Sequence, residues 1–257
     1  MDNGMEAVRK GRSYFKLLDA LGEAGCPVCS LVIRDGLSYL DSMMYERIMD
    51  VPTRMELIDS FGLCNWHTWQ LSRLPPISSP DLGYAILASD LLGKFHRLAG
   101  TGASRRGGSL KGVFGKKTGG IRSRIKRKGC PVCGHVGQFE SYHLGQLLDQ
   151  LAEDEFLNSF RVSQGICLPH FLVAEEHCSD HPNFGVLREI QAAIAKSLRE
   201  TLQRYIDKHD YRRRENFTPA EAKAGRVAME FLSGKPGTFD SDVRRGPLKN
   251  GRSRFAK

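Results

Sequence analysis

Gly25-Cys26-Pro27-Val28-Cys29, followed by Gly62-Leu63-Cys64-Asn65-Trp66-His67, decides how this chain is read, because the pattern returns. Gly129-Cys130-Pro131-Val132-Cys133 is followed by Gly165-Ile166-Cys167-Leu168-Pro169-His170. Each copy reads C-P-V-C, a gap of about 34 residues, then G-[LI]-C-x-x-H. Six of the seven cysteines fall inside the pattern, so their placement is not random. The eight residues Cys26, Cys29, Cys64, His67, Cys130, Cys133, Cys167 and His170 therefore read as two metal-ligand sets, each of three thiolates and one imidazole.

The spacing has a chemical reason. Two cysteines separated by two residues converge on one ion when the backbone turns tightly between them, and Pro27 and Pro131 preset φ for that turn. A C-x-x-H pair converges equally well when it opens a helix, whose N-terminus stabilises thiolate. Gly62 and Gly165 fit a sharp entry into such a helix. The simplest assignment is local: Cys26, Cys29, Cys64 and His67 around one ion, and Cys130, Cys133, Cys167 and His170 around the other. Two structural Zn²⁺ sites are the leading reading, because Cys₃His is a common closed zinc set. The alternative at the same ligands is a pair of [4Fe–4S] clusters.

The surrounding sequence is helical in pattern. Apolar residues recur at spacings of three and four in Leu82–Leu98 and in Val186–Tyr205, at nearly the same offset that relates the cysteines. Val8, Tyr14, Phe15, Leu17, Leu18 and Leu21 form an expected N-terminal helix that delivers the chain to Cys26. Thr218-Pro219-Ala220-Glu221 opens a last helix that ends at Gly234-Lys235-Pro236-Gly237. β-branched alternation is scarce. The fold class expected is mostly α: two duplicated helical modules, each with its own metal site. The expected boundaries are residues 1–99 for the first module, 100–129 for a basic linker, 130–216 for the second module and 217–257 for a C-terminal helix and basic tail.

Charge is concentrated. The formal net charge is +9 over 257 residues, yet residues 100–129 hold ten Lys or Arg and no acid, and residues 243–257 hold six more. The remaining body is mildly acidic. Both basic stretches could neutralise phosphates of a nucleic acid without reading its sequence, or serve only as solvated spacers. The linker, rich in Gly and like charges, is expected to be disordered. No segment approaches the roughly 20 apolar residues that span a bilayer, so no membrane partner is expected. The N-terminus lacks an apolar signal segment, and the thiol-rich pattern suits the reducing cytoplasm.

Other residues carry less. Trp66 and Trp69, beside the first ligand histidine, read as core residues covering the site. His177, Cys178 and His181 form a local group without a counterpart in the first copy. His96, His135 and His143 read as ordinary surface or core histidines. No phosphate-binding loop, dinucleotide fingerprint, nucleophile elbow or H-E-x-x-H occurs, and no catalytic residues and no organic-cofactor-binding residues are assigned.

The stretch Tyr14-Phe15-Lys16-Leu17-Leu18 through Cys29, together with G-x-C-x-x-H and the helix before Leu232-Ser233-Gly234, resembles a family of uncharacterised prokaryotic proteins with paired C-P-x-C and C-x-x-H motifs. The resemblance implies the duplicated metal-site layout and a helical fold. It implies no activity. Three functional readings follow: a non-catalytic interaction or scaffold protein with a protein partner, an iron–sulfur protein carrying electrons or sulfur, and, least favoured, an enzyme with an activated cysteine.

Overall fold

Helices account for nearly all the regular structure in the computed structural model, which describes residues 10–71, 74, 81–100, 129–209 and 215–238. In chain order they are α1 Arg12–Leu21, α2 Pro27–Ser42, α3 Val51–Asp59, α4 Asn65–Leu71, α5 Asp81–Gly100, α6 Pro131–Gln150, α7 Asp154–Val162, α8 Leu168–Cys178, α9 Phe184–Lys208 and α10 Pro219–Ser233. A π-helical turn, Met43–Arg47, continues α2. There is no strand among the described residues, as the lack of β-branched alternation predicts. None of their helices is long and apolar enough to cross a membrane. The expected basic linker and tail fall, but for Gly100 and Gly129, outside the described residues.

The chain divides into two compact units, Met1–Asp35 with Val136–Lys257, and Gly36–His135. The division falls inside α2 and α6. In each of these helices the start, together with the cysteine just before it, belongs to one unit and the rest to the other. The units therefore do not follow the linear modules expected from the repeat.

In the unit formed by the two chain ends, α1 packs on α7, and α10 packs on α8 and α9. Its core gathers Tyr14 and Leu17 of α1, Val28, Leu31 and Val32 of α2, Leu144, Leu147 and Leu148 of α6, Phe156 and Phe160 of α7, and Leu187 and Ile190 of α9. Burying each such side chain is worth about 1.5–3 kcal/mol, so this cluster sets where the start of α2 must lie. The last helix starts as its sequence dictates. Thr218 Oγ1 accepts from Glu221 N–H at 3.2 Å, and the Glu221 carboxylate accepts from Thr218 N–H at 2.8 Å, a reciprocal cap. Lys208 at the end of α9 donates to the same Glu221 at 2.9 Å.

In the central unit α3 packs on α5, around the buried Leu40, Met43, Met44, Ile48, Leu57 and Leu87. Here α3 ends in a sharp reversal: Phe61 has φ 59° and Gly62 φ 85°. A left-handed phenylalanine is uncommon and must be held by its surroundings. Gly62 N–H donates to Leu57 C=O at 2.7 Å. Lys94 of α5 donates to Ile58 C=O at 2.6 Å and lies 5.3 Å from the Phe61 ring centre. These contacts fix the turn that delivers Cys64.

Candidate metal centres

All eight donors expected from the sequence come together, in two groups and in an exchanged pairing. Cys26, Cys29, Cys167 and His170 form one group, and Cys64, His67, Cys130 and Cys133 the other; within each group one ligand atom per residue lies within 4.8 Å of the others. The local assignment, each C-P-V-C with the C-x-x-H that follows it, is overturned. The first C-P-V-C meets the second C-x-x-H, and the second C-P-V-C meets the first. Each centre lies wholly within one compact unit.

The physical reason is the core. Local pairing would close a ring of 35 positions between Cys29 and Cys64, whereas the observed ring from Cys29 to Cys167 spans 138. Two doublings of loop length cost only about 1.2 kcal/mol. Val28, Leu31 and Val32 beside the cysteines are 0–2 % exposed against α6 and α9 residues, and each contributes more than that difference.

At the first centre His170 presents Nδ1 to the sulfurs, 3.4 Å from Cys26, 3.4 Å from Cys29 and 3.1 Å from Cys167. Cys29 and Cys167 stand 3.7 Å apart. On the far side of the ring, His170 Nε2 lies 3.1 Å from the Glu140 carboxylate. A carboxylate behind a ligand histidine fixes its orientation and raises its basicity. The Lys235 peptide N–H donates to Cys29 Sγ at 3.4 Å, and the Lys235 ammonium donates to Ser30 Oγ.

The second centre repeats this arrangement. His67 Nδ1 lies 3.2 Å from Cys64, 3.6 Å from Cys130 and 3.3 Å from Cys133. Cys64 and Cys133 are 3.7 Å apart, and His67 N–H donates to Cys64 Sγ at 3.4 Å.

Local sequence accounts for these positions. Cys167 is the N-cap of α8 and Cys64 immediately precedes α4, as expected for C-x-x-H opening a helix. The tight turn expected at each C-P-V-C is the first turn of a helix. Pro27 and Pro131 are the first residues of α2 and α6, the helix position where a missing N–H costs nothing. Gly165 has φ 66°, and a Cβ there would fall 2.1 Å from Gln191 Oε1. Buried Gln191 grips the same loop, accepting from Ile166 N–H at 3.0 Å and donating to Ile166 C=O at 2.7 Å. Gln164 accepts from Gly25 N–H at 2.9 Å, joining the two ligand loops of the first centre. Sequence reasoning does not single out Gln164, Gln191, Glu140 or Lys235, since no spacing relative to the cysteines marks them.

The donors perturb one another as groups wanting a cation do. Hydrogen bonds from Cys167 and Cys26 drive the Cys29 thiol far down, and Cys26 and Cys29 push Cys167 far up. In the second centre Cys133 and Cys64 push Cys130 down, while Cys130 and Cys64 push Cys133 up. Burial opposes a charged His170, but Cys26, Cys29 and Glu140 outweigh it and hold its pKa well above the ordinary value. Protons are thus shared among donors that a divalent cation would hold as thiolates. Both clusters could hold a metal ion.

The remaining expectations divide. Trp69 is 64 % exposed and does not lie in the core; it stands two residues after buried His67, on another face of the short α4. His143 is buried, 2.5 Å from Asp35, in keeping with its ordinary reading. His181 pairs with Asp149 at 3.1 Å and accepts from Asn183 N–H at 3.1 Å. Among the described residues His177, Cys178 and His181 do not form a ligand group.

No curated protein and no solved structure matches the chain. A family model matches residues 14–236, from α1 to the turn after α10 and so across both centres, and the chain belongs to the family of unknown function DUF6062.

Proposed function

We propose that the protein is a zinc-stapled helical scaffold, non-catalytic itself, that docks a protein partner. The observation that carries the zinc reading is the donor spacing. With Zn–S near 2.3 Å and Zn–N near 2.0–2.1 Å, a tetrahedral site has S···S edges of about 3.8 Å and S···N edges of about 3.6 Å. One S···S separation in each centre is 3.7 Å, all ligand atoms of a group lie within 4.8 Å of one another, and the S···N separations run from 3.1 to 3.6 Å. A four-iron cluster places an iron behind each ligand with sulfides between them, so its cysteine sulfurs would stand well apart. The spacing weighs against that alternative.

Four protein donors also leave no coordination position for water or substrate, which catalytic zinc requires. Bound at these residues, zinc would supply cross-links between helix starts distant in sequence. The basic stretches 100–129 and 243–257 would meet an anionic surface of the partner, or nucleic acid. Their charge alone supports this. Seven cysteines outside any disulfide fit a reducing compartment, in keeping with the cytoplasm.

The test is elemental analysis and an absorption spectrum of protein purified without oxygen. Two zinc ions per chain and no visible colour are expected. A brown protein containing iron and sulfide would refute zinc.

A further inference from the structure

The two centres differ in how they are enclosed. At the first, Cys26 is 3 % exposed, Cys29 0 %, Cys167 1 % and His170 0 %. At the second, Cys64 and His67 are buried, but Cys130 and Cys133 are only half-buried. The residues flanking each C-P-V-C point the same way. A Cβ on Gly25, before Cys26, would lie 2.7 Å from Lys235 Cε and 2.9 Å from Glu230 Oε2. A Cβ on Gly129, before Cys130, or on Gly134, after Cys133, would meet nothing within 4 Å among the described residues. The first pair is roofed by the segment after α10, and no described residue covers those flanks of the second.

A cavity of about 800 Å³ lined by α9 and α10 does include Cys26 and Cys167 in its wall. Those two residues are nonetheless 3 % and 1 % exposed, so a small reagent entering the cavity meets almost no surface of either.

We propose that Cys130 and Cys133 form an oxidation site for hydrogen peroxide, through which the second centre releases its metal while the first retains it. The proposal rests on the zinc reading. One thiolate attacks a peroxide oxygen; the O–O bond breaks, giving a sulfenic acid and hydroxide. The second thiolate attacks the sulfenic sulfur, forms the S–S bond and expels hydroxide. Two protons taken up from solvent complete two waters, and the two electrons lost by the thiolates reduce one peroxide. Accessible thiolates next to a resolving cysteine are the ones this chemistry selects. The reacting groups lie within 4.8 Å of each other. Losing two of its four donors, the second centre gives up its ion.

The experiment starts by counting zinc in the full-length reduced protein, then adds hydrogen peroxide with a chromogenic zinc chelator. Remaining thiols are alkylated at intervals and mapped by mass spectrometry. One zinc equivalent should leave about tenfold or more faster than the other, in step with a Cys130–Cys133 disulfide, because exposure governs susceptibility. Release of both equivalents at one rate, or a first disulfide at Cys26–Cys29, overturns the proposal while leaving the zinc reading intact. A reduced protein that binds no zinc overturns both.

Discussion

The exchanged pairing can be tested by metal stoichiometry in two double variants. Cys29→Ser/Cys167→Ser removes two ligands of one observed centre and leaves the other whole, so it should retain about one zinc per chain. Cys29→Ser/Cys64→Ser removes one ligand from each centre and should retain almost none after dialysis against a weak chelator. Local pairing requires the reverse order. The structure also sets a stability scale for single variants. The link from Cys29 to Cys167 closes 138 positions, and that from Cys64 to Cys133 closes 69. Chain-entropy arithmetic gives about 5 kcal/mol for the longer ring and about 4 kcal/mol for the shorter. One doubling separates them, about 0.6 kcal/mol. Cys167→Ser should therefore destabilise the chain by at least that much more than Cys64→Ser, read as free energies of unfolding in urea with zinc present. A double variant Cys29→Ser/Cys64→Ser that keeps one full equivalent, while Cys29→Ser/Cys167→Ser loses both, would refute the observed pairing.

Further outcomes follow from single contacts. Glu140→Gln weakens the support behind His170 and should lower zinc affinity at the first centre by about 10–100-fold, leaving the second unchanged in competition titrations. Gly165→Ala places a Cβ against Gln191 at a positive φ and should cost about 1–3 kcal/mol in urea unfolding. The Glu221 carboxyl is held down at about 2, first by the hydrogen bond from Lys208 and then by Thr218 N–H. Its contribution is complete above the ordinary carboxylate range and is lost as pH falls through about 2, so the stability gap between native protein and Glu221→Gln should close over that interval. If residues 100–129 bind nucleic acid, replacing Arg122, Arg124, Lys126, Arg127 and Lys128 with Ser should weaken a generic duplex and flatten the salt dependence, while zinc content stays at two.

Much of the site is legible in the sequence. The identity of the donors follows from composition and spacing, since few residue types bind soft cations and their positions repeat. Helix starts are equally readable: Gly62 and Gly165 do enter C-x-x-H helices with positive φ, and Thr218 with Glu221 forms the cap its spacing announces. What surrounds the donors is not legible there. Glu140 reaches His170 from another helix, and Lys235 reaches Cys29 from 206 positions away; neither stands in a periodic relation to its partner.

By itself the sequence determined the class of the fold, mostly helical, and the eight residues that form the two Cys₃His groups. It could not determine which pair joins which, because both C-P-V-C copies and both C-x-x-H copies offer the same donors, and either pairing satisfies the same coordination chemistry. Tertiary structure decided that question. Loop-closure entropy favours neighbours by only about 1 kcal/mol, while burying Val28, Leu31 and Val32 with Leu144, Leu147 and Leu187 is worth several times more. The apolar core places the start of α2 beside α8, and the cysteines gather into donor groups where the core leaves them.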